Sequence, residues 1–438
     1  MRHVIAPARL AAYETLLAVA GGRADLPAAL ARARGSLRDE RDRALAGEIA
    51  TGTLRWQASF DRIVAQFSNR DPARLDLEIL TILRLSLFQL LHLDRVPAAA
   101  VVDDAVEMAR KAGKRSAAGF VNALLRRASR ERARLPLPQE PRDPRNRDAA
   151  IDYLSTTLSH PRWLIERWID RVGYDATAAW TRFDNEAAPL TLRVNTLRTT
   201  RDALVDALAK AGVEAVPTRR ASIGLIVRAG NPLLTPLAGQ GLFVVQDEAS
   251  QLVGEFVDAR PGESIFDACA SPGGKTTQMA AMMRDEGRVV AADVRARRVN
   301  LLSSTVIASG ARSVRILQAD ARQPLPLEPV FDAVLVDAPC SGLGTIRRDP
   351  DIRWRRVPSD FDGFAATQRA ILANAAALLR PGGRVIYSTC SSEPEENEAI
   401  VAAFLDAHPQ FEPASELRTL PFRDGLEAFY GAALVRRP

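Results

Sequence analysis

The chain has 438 residues, of which 47% are hydrophobic and 26% are charged, values typical of a globular protein with two or three domains. Its net charge of +6 is carried almost entirely by arginine, which is compatible with a nucleic-acid partner but does not establish one. Because no stretch is long and apolar enough to span a membrane and the N-terminus lacks a signal-peptide pattern, we expect a cytoplasmic protein.

The spacing of cysteine and histidine argues against a structural metal. Cys269, Cys340 and Cys390 are odd in number and widely separated, and no CxxC pair occurs. The four histidines are scattered and form no ligand pair. We therefore expect a reducing environment, no disulfide framework and no metal.

Residues 1–134 predict an all-α domain. Apolar residues recur at helical spacing in ARLAAYETLLAV, and DLEILTILRLSLFQLLHL is apolar on nearly every side, which predicts a central buried helix. Two further helices are predicted from PAAAVVDDAVEMARKAG and SAAGFVNALLRRASRERAR. The second of these has a basic face, formed by Arg126, Arg127, Arg130, Arg132 and Arg134. That face suits either solvent or the phosphates of a nucleic acid.

The middle of the chain predicts a linker and a small α+β domain. Four prolines within nine residues, with charged neighbours, indicate a linker over 135–149. Over 150–240, a helix with Trp163 and Trp168 precedes the strand-like LTLRVN, the helix TTRDALVDALAKAG and the short strands VEAVP and GLIVR.

Residues 241–438 predict a Rossmann-like α/β domain, because strands and helices alternate as in a parallel sheet covered on both faces. The strand-like runs are SIFDAC, RVVAADV, VRILQAD, FDAVLVD and RVIYST, and the tail can add a final hairpin.

The loop after the first of these strands, DACASPGGKTT, predicts a cofactor site. It looks like a phosphate-binding loop, but that motif needs glycine where this chain has Cys269, which disfavours a nucleoside triphosphatase. The dinucleotide fingerprint GxGxxG is also absent, so a mononucleoside cofactor such as S-adenosylmethionine fits better than NAD. Gly273 and Gly274 would let the backbone approach such a cofactor closely.

Three aspartates stand at consecutive strand ends. Asp293, Asp320 and Asp337 close the second, third and fourth predicted strands, where ligands of such sheets bind and where a carboxylate can hold ribose hydroxyls. Each alone could be a cap or turn residue. Their recurrence at three successive strand ends favours a ligand site.

Two cysteines follow the fourth and fifth strands. One helix joins these strands, so Cys340 and Cys390 are predicted to lie at the same sheet edge as the cofactor. Burial as small hydrophobes is the alternative, although PCSG and TCSS are turn sequences. Ser392 to Glu395 also predicts a capping box, which would place Cys390 before a helix N-terminus that favours a thiolate, opposed by the nearby glutamates.

A thiolate beside a methyl donor suits one reaction in particular. Carbon 5 of cytosine is a poor nucleophile until a thiolate adds to carbon 6, after which carbon 5 can attack a methyl group. The target base must leave its stack to reach such a pocket. A second thiol could assist the later loss of the carbon 5 proton.

The motifs DACASPGGKT, VDAPCSGLGT and YSTCS resemble those of the RNA 5-methylcytosine methyltransferases, in which PC is paired with a later TC. LRVNTLR and VVQDEASQL are similar to segments that precede the catalytic domain in that family. LFQLLHLDRVPAAAVVDDAVEMAR and GFVNALLRR resemble the helical domain shared with the antitermination factor NusB. Together they resemble the bacterial 16S ribosomal RNA enzymes of the Sun or Fmu type. Ser271, in place of the usual alanine, and a loose version of the family's tail are the departures.

The resemblance implies roles for individual residues. Cys390 would be the nucleophile and Cys340 would assist product release, while Lys275 and Asp337 would contact the target base and the methionine end of the cofactor. Asp293 would bind the ribose and Asp320 the adenine. The expected cofactor site comprises Cys269, Ala270, Ser271, Pro272, Gly273, Gly274, Lys275, Asp293, Arg298, Asp320 and Asp337.

The expected function is S-adenosylmethionine-dependent methylation of carbon 5 of a cytosine in 16S rRNA, by a monomer that acts on RNA within or outside a partly assembled subunit. The same chemistry on tRNA or another RNA is one alternative. An RNA-binding or antitermination module with a vestigial catalytic domain is another, disfavoured by the intact cysteines, Lys275 and Asp337. A small-molecule methyltransferase would need neither two thiols nor the added helical domain.

Overall fold

The computed structural model describes residues 4–438 and divides into two compact units. The first unit runs to Glu186 and also includes Ile346–Arg355. The second unit comprises Ala187–Thr345 and Arg356–Pro438. Residues 135–149, predicted as a linker, fall within the first unit, and the predicted boundaries at 134, 149 and 240 stay predictions. Every helix over residues 4–438 is too short or too polar to cross a bilayer.

The first unit is helical. Its helices up to Glu186 are α1 (Pro7–Ala20), α2 (Leu26–Ser36), α3 (Glu40–Arg55), α4 (Gln57–Ser68), α5 (Leu77–His92), α6 (Ala98–Lys111), α7 (Ala118–Arg130), α8 (Arg147–Asp152) and α9 (Arg162–Asn185). The apolar helix α5 is the buried centre, as its sequence predicts. Arg9 of α1 donates to Gln89 of α5 at 2.7 Å and pairs with Asp104 of α6 at 2.5 Å, which satisfies these buried polar groups.

Ile346–Arg355 packs within the first unit although its neighbours in the chain belong to the second. The buried guanidinium of Arg353 donates to the carbonyl oxygen of Ser159 at 2.9 Å and to the side-chain oxygen of Asn185 at 3.0 Å. Trp354 donates its indole N–H to the carbonyl oxygen of Leu54 at 2.7 Å. The chain therefore leaves the second unit five residues after Cys340, a feature that no sequence pattern predicts.

A small antiparallel sheet begins the second unit. Its strands are β1 (Thr191–Val194), β2 (Glu214–Pro217), β3 (Gly224–Ala229) and β4 (Phe243–Val245), in the order β2-β3-β1-β4. With α10 (Arg201–Lys210) they form the predicted α+β element, and β4 is an additional strand.

A seven-stranded sheet dominates the second unit. Its strands are β5 (Ser264–Asp267), β6 (Arg288–Asp293), β7 (Val314–Gln318), β8 (Phe331–Asp337), β9 (Leu379–Thr389), β10 (Phe411–Thr419) and β11 (Phe429–Arg436). The later helices are α11 (Glu248–Phe256), α12 (Gly274–Met282), α13 (Ala296–Ser309), α14 (Ile352–Arg355, in the first unit), α15 (Asp360–Ala376), α16 (Glu398–Ala407) and α17 (Pro421–Asp424).

The order of the sheet, β10-β11-β9-β8-β5-β6-β7, has a switch point between β5 and β8. Five neighbouring strands of the sheet are parallel, namely β7, β6, β5, β8 and β9. The C-terminal residues add the predicted hairpin, formed by β10 and β11. This is the Rossmann-like arrangement that the alternating pattern predicts. Ligands of such sheets bind beyond the carboxyl ends of the strands at the switch point.

Candidate active site

The two cysteines that follow neighbouring strands are in contact. β8 and β9 pair in parallel, so the turns after Asp337 and Thr389 emerge side by side. The sulfur atoms of Cys340 and Cys390 are 3.3 Å apart, and the N–H of Gly344 donates to the carbonyl oxygen of Cys390 at 2.9 Å. The predicted convergence of the two thiols at one sheet edge is confirmed.

A lysine–aspartate pair lies at the same edge. Gly273 adopts a left-handed conformation (φ 105°) just before α12, which places Lys275 in the first turn of that helix. The ammonium nitrogen of Lys275 is 2.6 Å from Oδ2 of Asp337, whose Oδ1 accepts a hydrogen bond from Ser388 at 2.9 Å. Burial alone would lower the pKa of Lys275, but Asp337 and Cys390 raise it above its ordinary value. Lys275 is therefore a cation at neutral pH.

Cys340, one of the two touching thiols, is difficult to ionise. The hydrogen bond with Cys390, together with burial, raises the pKa of Cys340 well above its ordinary value. Cys340 therefore keeps its proton, and its S–H can donate to the sulfur of Cys390. Cys390, the other thiol, interacts with the Lys275 cation.

The predicted capping box near Cys390 is wrong. The segment Pro394–Glu396 forms a short 3₁₀ turn whose first residues make no side-chain cap, and α16 begins only at Glu398. The hydroxyl of Ser391, not Ser392, accepts the N–H of Glu393 at 3.1 Å. Tertiary hydrogen bonds outcompete the local capping pattern here, so the helix dipole does not act on Cys390.

One of the glutamates after Cys390, Glu396, is part of the site but was not predicted from the sequence. The carboxylate of Glu396 is fully buried and accepts hydrogen bonds from Ser341 and Ser391, the residues that directly follow the two cysteines. The sequence shows four acidic residues within EPEENE but not which of them turns inward.

A cleft of about 310 Å³ opens beside the lysine–aspartate pair. It is lined by Val244, Val245, Gln246, Ser250, Asp267, Cys269, Ala270, Ser271, Pro272, Gly274, Lys275, Thr305 and Asp337. The predicted loop and both predicted polar residues thus face one cavity. Gln246, from the quoted segment VVQDEASQL, and Asp267, the last residue of β5, were not predicted as site residues.

Burial disfavours the charged form of two groups of the cleft. Burial raises the pKa of Asp267 to about 7, outweighing a hydrogen bond from Thr276 at 2.7 Å, and its second oxygen has no hydrogen-bond partner among residues 4–438. Burial also raises the pKa of the Cys269 thiol far above its ordinary value. Cys269 is therefore a neutral wall of the cleft rather than a nucleophile.

The other predicted cofactor residues lie at the same strand edge but outside this cleft. Asp293 ends β6 and is buried, with its carboxylate 3.2 Å from Nε of Arg298, which also donates to the carbonyl oxygen of Ser271 at 2.8 Å. Asp320 lies two residues beyond β7 rather than at its end. A hydrogen bond from Arg322 lowers the pKa of Asp320, so this carboxylate is ionised.

Family comparisons cover most of the chain. The family described as "16S rRNA methyltransferase RsmB/F" matches residues 255–435, the NusB family matches residues 6–130, and the "RsmF/B-like, ferredoxin-like domain" matches residues 160–233. These matches agree with the all-α, α+β and Rossmann-like parts predicted from the sequence.

Relatives and a solved structure match over nearly full length. The "probable ribosomal RNA small subunit methyltransferase B" of Bacillus subtilis is 34% identical, over 88% of this chain and 86% of that protein. The "ribosomal RNA small subunit methyltransferase B" of Pseudomonas putida is 33% identical over 98% of both chains. The crystal structure of PH0851 has a TM-score of 0.81 and 27% identity, covering 99% of this chain and 100% of that one. The protein therefore belongs to the RsmB/F family of ribosomal RNA methyltransferases, with a NusB-family domain preceding its ferredoxin-like and methyltransferase domains.

Proposed function

We propose that this enzyme methylates carbon 5 of a cytosine in 16S rRNA, with S-adenosylmethionine as the methyl donor. The observation that supports this most is the contact between the Cys340 and Cys390 sulfurs beside the Lys275–Asp337 pair. The names of the relatives from Bacillus subtilis and Pseudomonas putida support the small-subunit RNA as substrate.

Cys390 begins the reaction. Its thiolate forms a bond with carbon 6, and the electron pair displaced from the ring double bond is stabilised by the Lys275 cation, which makes carbon 5 nucleophilic. S-adenosylmethionine supplies an electrophilic methyl group to that carbon.

Cys340 acts after methyl transfer. Bonding of Cys390 to carbon removes the partner whose hydrogen bond is the largest cause of the raised Cys340 pKa. Cys340 can then lose its own proton to solvent, and the resulting thiolate accepts the carbon 5 proton. As that proton leaves, the carbon–sulfur bond breaks and its electron pair returns to Cys390, which releases the methylated base.

The residues present fit S-adenosylmethionine. Asp267 offers a buried carboxylate oxygen without a partner among residues 4–438, which suits the positively charged methionine portion. Asp293 ends β6, and Arg298 and Asp320 follow β6 and β7, at the sheet edge where the ribose and adenine of an adenosine cofactor would bind. The loop over 269–274 would supply the backbone contacts.

The proposal is tested by transfer of radiolabelled methyl groups to RNA from a strain that lacks this enzyme. Bisulfite sequencing of that RNA after the reaction should show one newly protected cytosine in 16S rRNA. If a protected cytosine appears only in tRNA, tRNA is the substrate. If the RNA becomes radiolabelled but no cytosine is protected, carbon 5 of cytosine is not the methylated atom.

Replacing Asp293 by alanine should weaken S-adenosylmethionine binding. The substitution removes the acceptor for two ribose hydroxyls, each a hydrogen bond to a charged group, so we expect a loss of ~1.5–3 kcal/mol, about 10- to 150-fold in Kd. Calorimetry measures the change, with Asp362→Ala, an exposed aspartate in the first turn of α15, as the control. Wild-type affinity in Asp293→Ala would contradict the ribose assignment.

Binding of S-adenosylmethionine should release a proton near neutral pH. In the free protein Asp267 has a pKa of about 7, so it is protonated below that value, and a bound cation favours its ionised form. Affinity should therefore rise as pH increases from about 6 to 8. Calorimetry in buffers of different ionisation enthalpy detects this proton release, and the release should be absent in Asp267→Asn. An unchanged release in that variant would show that another group titrates.

The basic end of α7 should contribute to RNA affinity. All five arginines of the basic face are exposed. Arg127 and Arg132 lie 3.1 Å from Glu131 and Asp94, whereas Arg130 lies 3.8 Å from Glu131 and Arg126 donates to the neutral Asn122.

Changing Arg126, Arg130 and Arg134 to glutamine should weaken RNA binding. The slope of log binding constant against log salt concentration should become shallower by about 2, at ~0.7 per lost phosphate contact on single-stranded RNA. The matched control exchanges the exposed Arg32, Arg38 and Arg41 for glutamine. The prediction is wrong if the two triple variants bind RNA with equal affinity and equal salt dependence.

A further inference from the structure

Glu396 joins the two cysteine turns through one buried carboxylate. Its Oε1 accepts the N–H of Ser341 at 2.7 Å, and its Oε2 accepts the hydroxyls of Ser341 and Ser391, each at 2.5 Å. Gln368 donates to Oε1 at 3.2 Å. Since Ser341 directly follows Cys340 and Ser391 directly follows Cys390, this carboxylate connects the two turns that carry the sulfurs.

The backbone around Glu396 is held as firmly as its side chain. Tyr387 donates its hydroxyl to the carbonyl oxygen of Glu396 at 2.6 Å. The next residue, Asn397, accepts a hydrogen bond from Thr389 at 2.5 Å and donates to the carbonyl oxygen of Ser391 at 3.0 Å. The carboxylate therefore cannot move unless the end of β9 moves with it.

Burial of this carboxylate is costly and is compensated only by neutral donors. Within residues 4–438, Glu396 forms no ion pair, and its partners are one backbone N–H, two hydroxyls and one amide. A glutamine in this place would occupy the same space without a carboxylate.

Glu396 contacts the two cysteine turns unequally. It receives two hydrogen bonds from the residue after Cys340 but only one from the residue after Cys390. The Lys275 cation, in contrast, interacts with Cys390. The carboxylate is therefore bound more closely to the Cys340 turn, and the cation acts on Cys390.

We infer that Glu396 is a positioning residue that holds the two sulfurs in contact and keeps the proton on Cys340, so that the thiolate forms on Cys390. This deepens the proposed function and rests on it, because the same two thiols carry the reaction. Sheet geometry alone would permit either cysteine to be the nucleophile. The asymmetric placement of Glu396 supplies a physical reason within this chain for choosing Cys390.

The neighbouring ionisable groups do not remove this asymmetry. Lys275 is paired with Asp337, and the phenol of Tyr387 is held neutral because burial raises its pKa well above the ordinary value. Arg356 donates to the carbonyl oxygen of Ser341 at 2.8 Å. The hydrogen bond with Cys390, then burial and then Glu396 raise the pKa of Cys340.

The test measures thiol reactivity in the free, full-length protein without RNA or cofactor. Iodoacetamide is added over a range of pH, and mass spectrometry measures the alkylation rates of Cys340 and Cys390. In the wild type, Cys390 should react first, and Cys340 should react only at higher pH. In Glu396→Gln the ratio of the two rates should fall ~10-fold or more, because one pKa unit changes the thiolate fraction tenfold.

Three further variants make the result interpretable. Ser341→Ala and Ser391→Ala each remove part of the contact with Glu396 and should shift the ratio in the same direction by less. Glu398→Gln is the matched control, since Glu398 pairs with Arg418 and touches neither cysteine turn, and it should leave the ratio unchanged. If Glu396→Gln does not fold, the two serine variants carry the test.

An unchanged rate ratio and pH profile in folded Glu396→Gln, or in both serine variants, would overturn the inference. Failure of the proposed function would look different. A protein that methylates no RNA could still show the predicted alkylation pattern, whereas an active enzyme with an unaltered pattern in Glu396→Gln would refute only the role of Glu396.

Discussion

Cys390→Ala should form neither product nor covalent RNA adduct, whereas Cys340→Ala should accumulate as a protein–RNA conjugate. Cys390 supplies the electron pair that bonds to carbon 6, so without its sulfur carbon 5 never becomes nucleophilic. Cys340 is needed only when the carbon 5 proton leaves, so its loss should permit attack and methyl transfer but slow release. Although the two thiols lie in contact, the Cys390 variant should be blocked at the first step and the Cys340 variant at the last.

A denaturing gel of each variant, incubated with target RNA and S-adenosylmethionine, distinguishes these outcomes. A slow-migrating, protease-sensitive band should appear with Cys340→Ala and be absent from both Cys390→Ala and the double variant. The double variant is the control that identifies Cys390 as the attached residue. A conjugate with Cys390→Ala instead would exchange the two roles, and full methylation by Cys390→Ala would falsify the thiol mechanism.

Lys275→Met should lower the rate of adduct formation by ~10²–10³, the effect of removing one preorganised donor from a developing negative charge. Methionine preserves the length and apolar stem of the side chain but not its cation. Because the lysine also compensates the Asp337 carboxylate at 2.6 Å, the single change leaves that charge without its partner.

A double-mutant cycle separates the two effects. If Lys275 and Asp337 act as a unit, Lys275→Met combined with Asp337→Asn should react no more slowly than the worse single variant. Lys210→Met, which removes an exposed lysine at the end of α10, is the matched control and should retain wild-type rates. Strictly additive losses would indicate that the two residues act independently, and an unimpaired Lys275→Met would remove the lysine from the mechanism.

Strand ends were the most informative positions in the sequence. The runs that end in Asp267, Asp293 and Asp337 are apolar strands of a sheet buried on both faces, a pattern that depends only on local residue order. Because parallel strands end at one edge, the cysteine turns and the cofactor loop had to meet there. The capping box after Cys390 failed for the opposite reason, since its residues found better hydrogen-bond partners elsewhere in the fold.

The sequence by itself determined the elements and the convergence of Lys275, Asp337, Cys340 and Cys390, because periodicity and chain order suffice for these, and its motifs carried the family resemblance. Only the tertiary structure decided which polar groups are buried and what they contact. Glu396 and Asp267 resemble any other acidic residue in the sequence, and Ile346–Arg355 shows no sign of packing with the first unit. Burial and hydrogen bonding between residues far apart in the chain set charge and position in a site, and no local pattern encodes them.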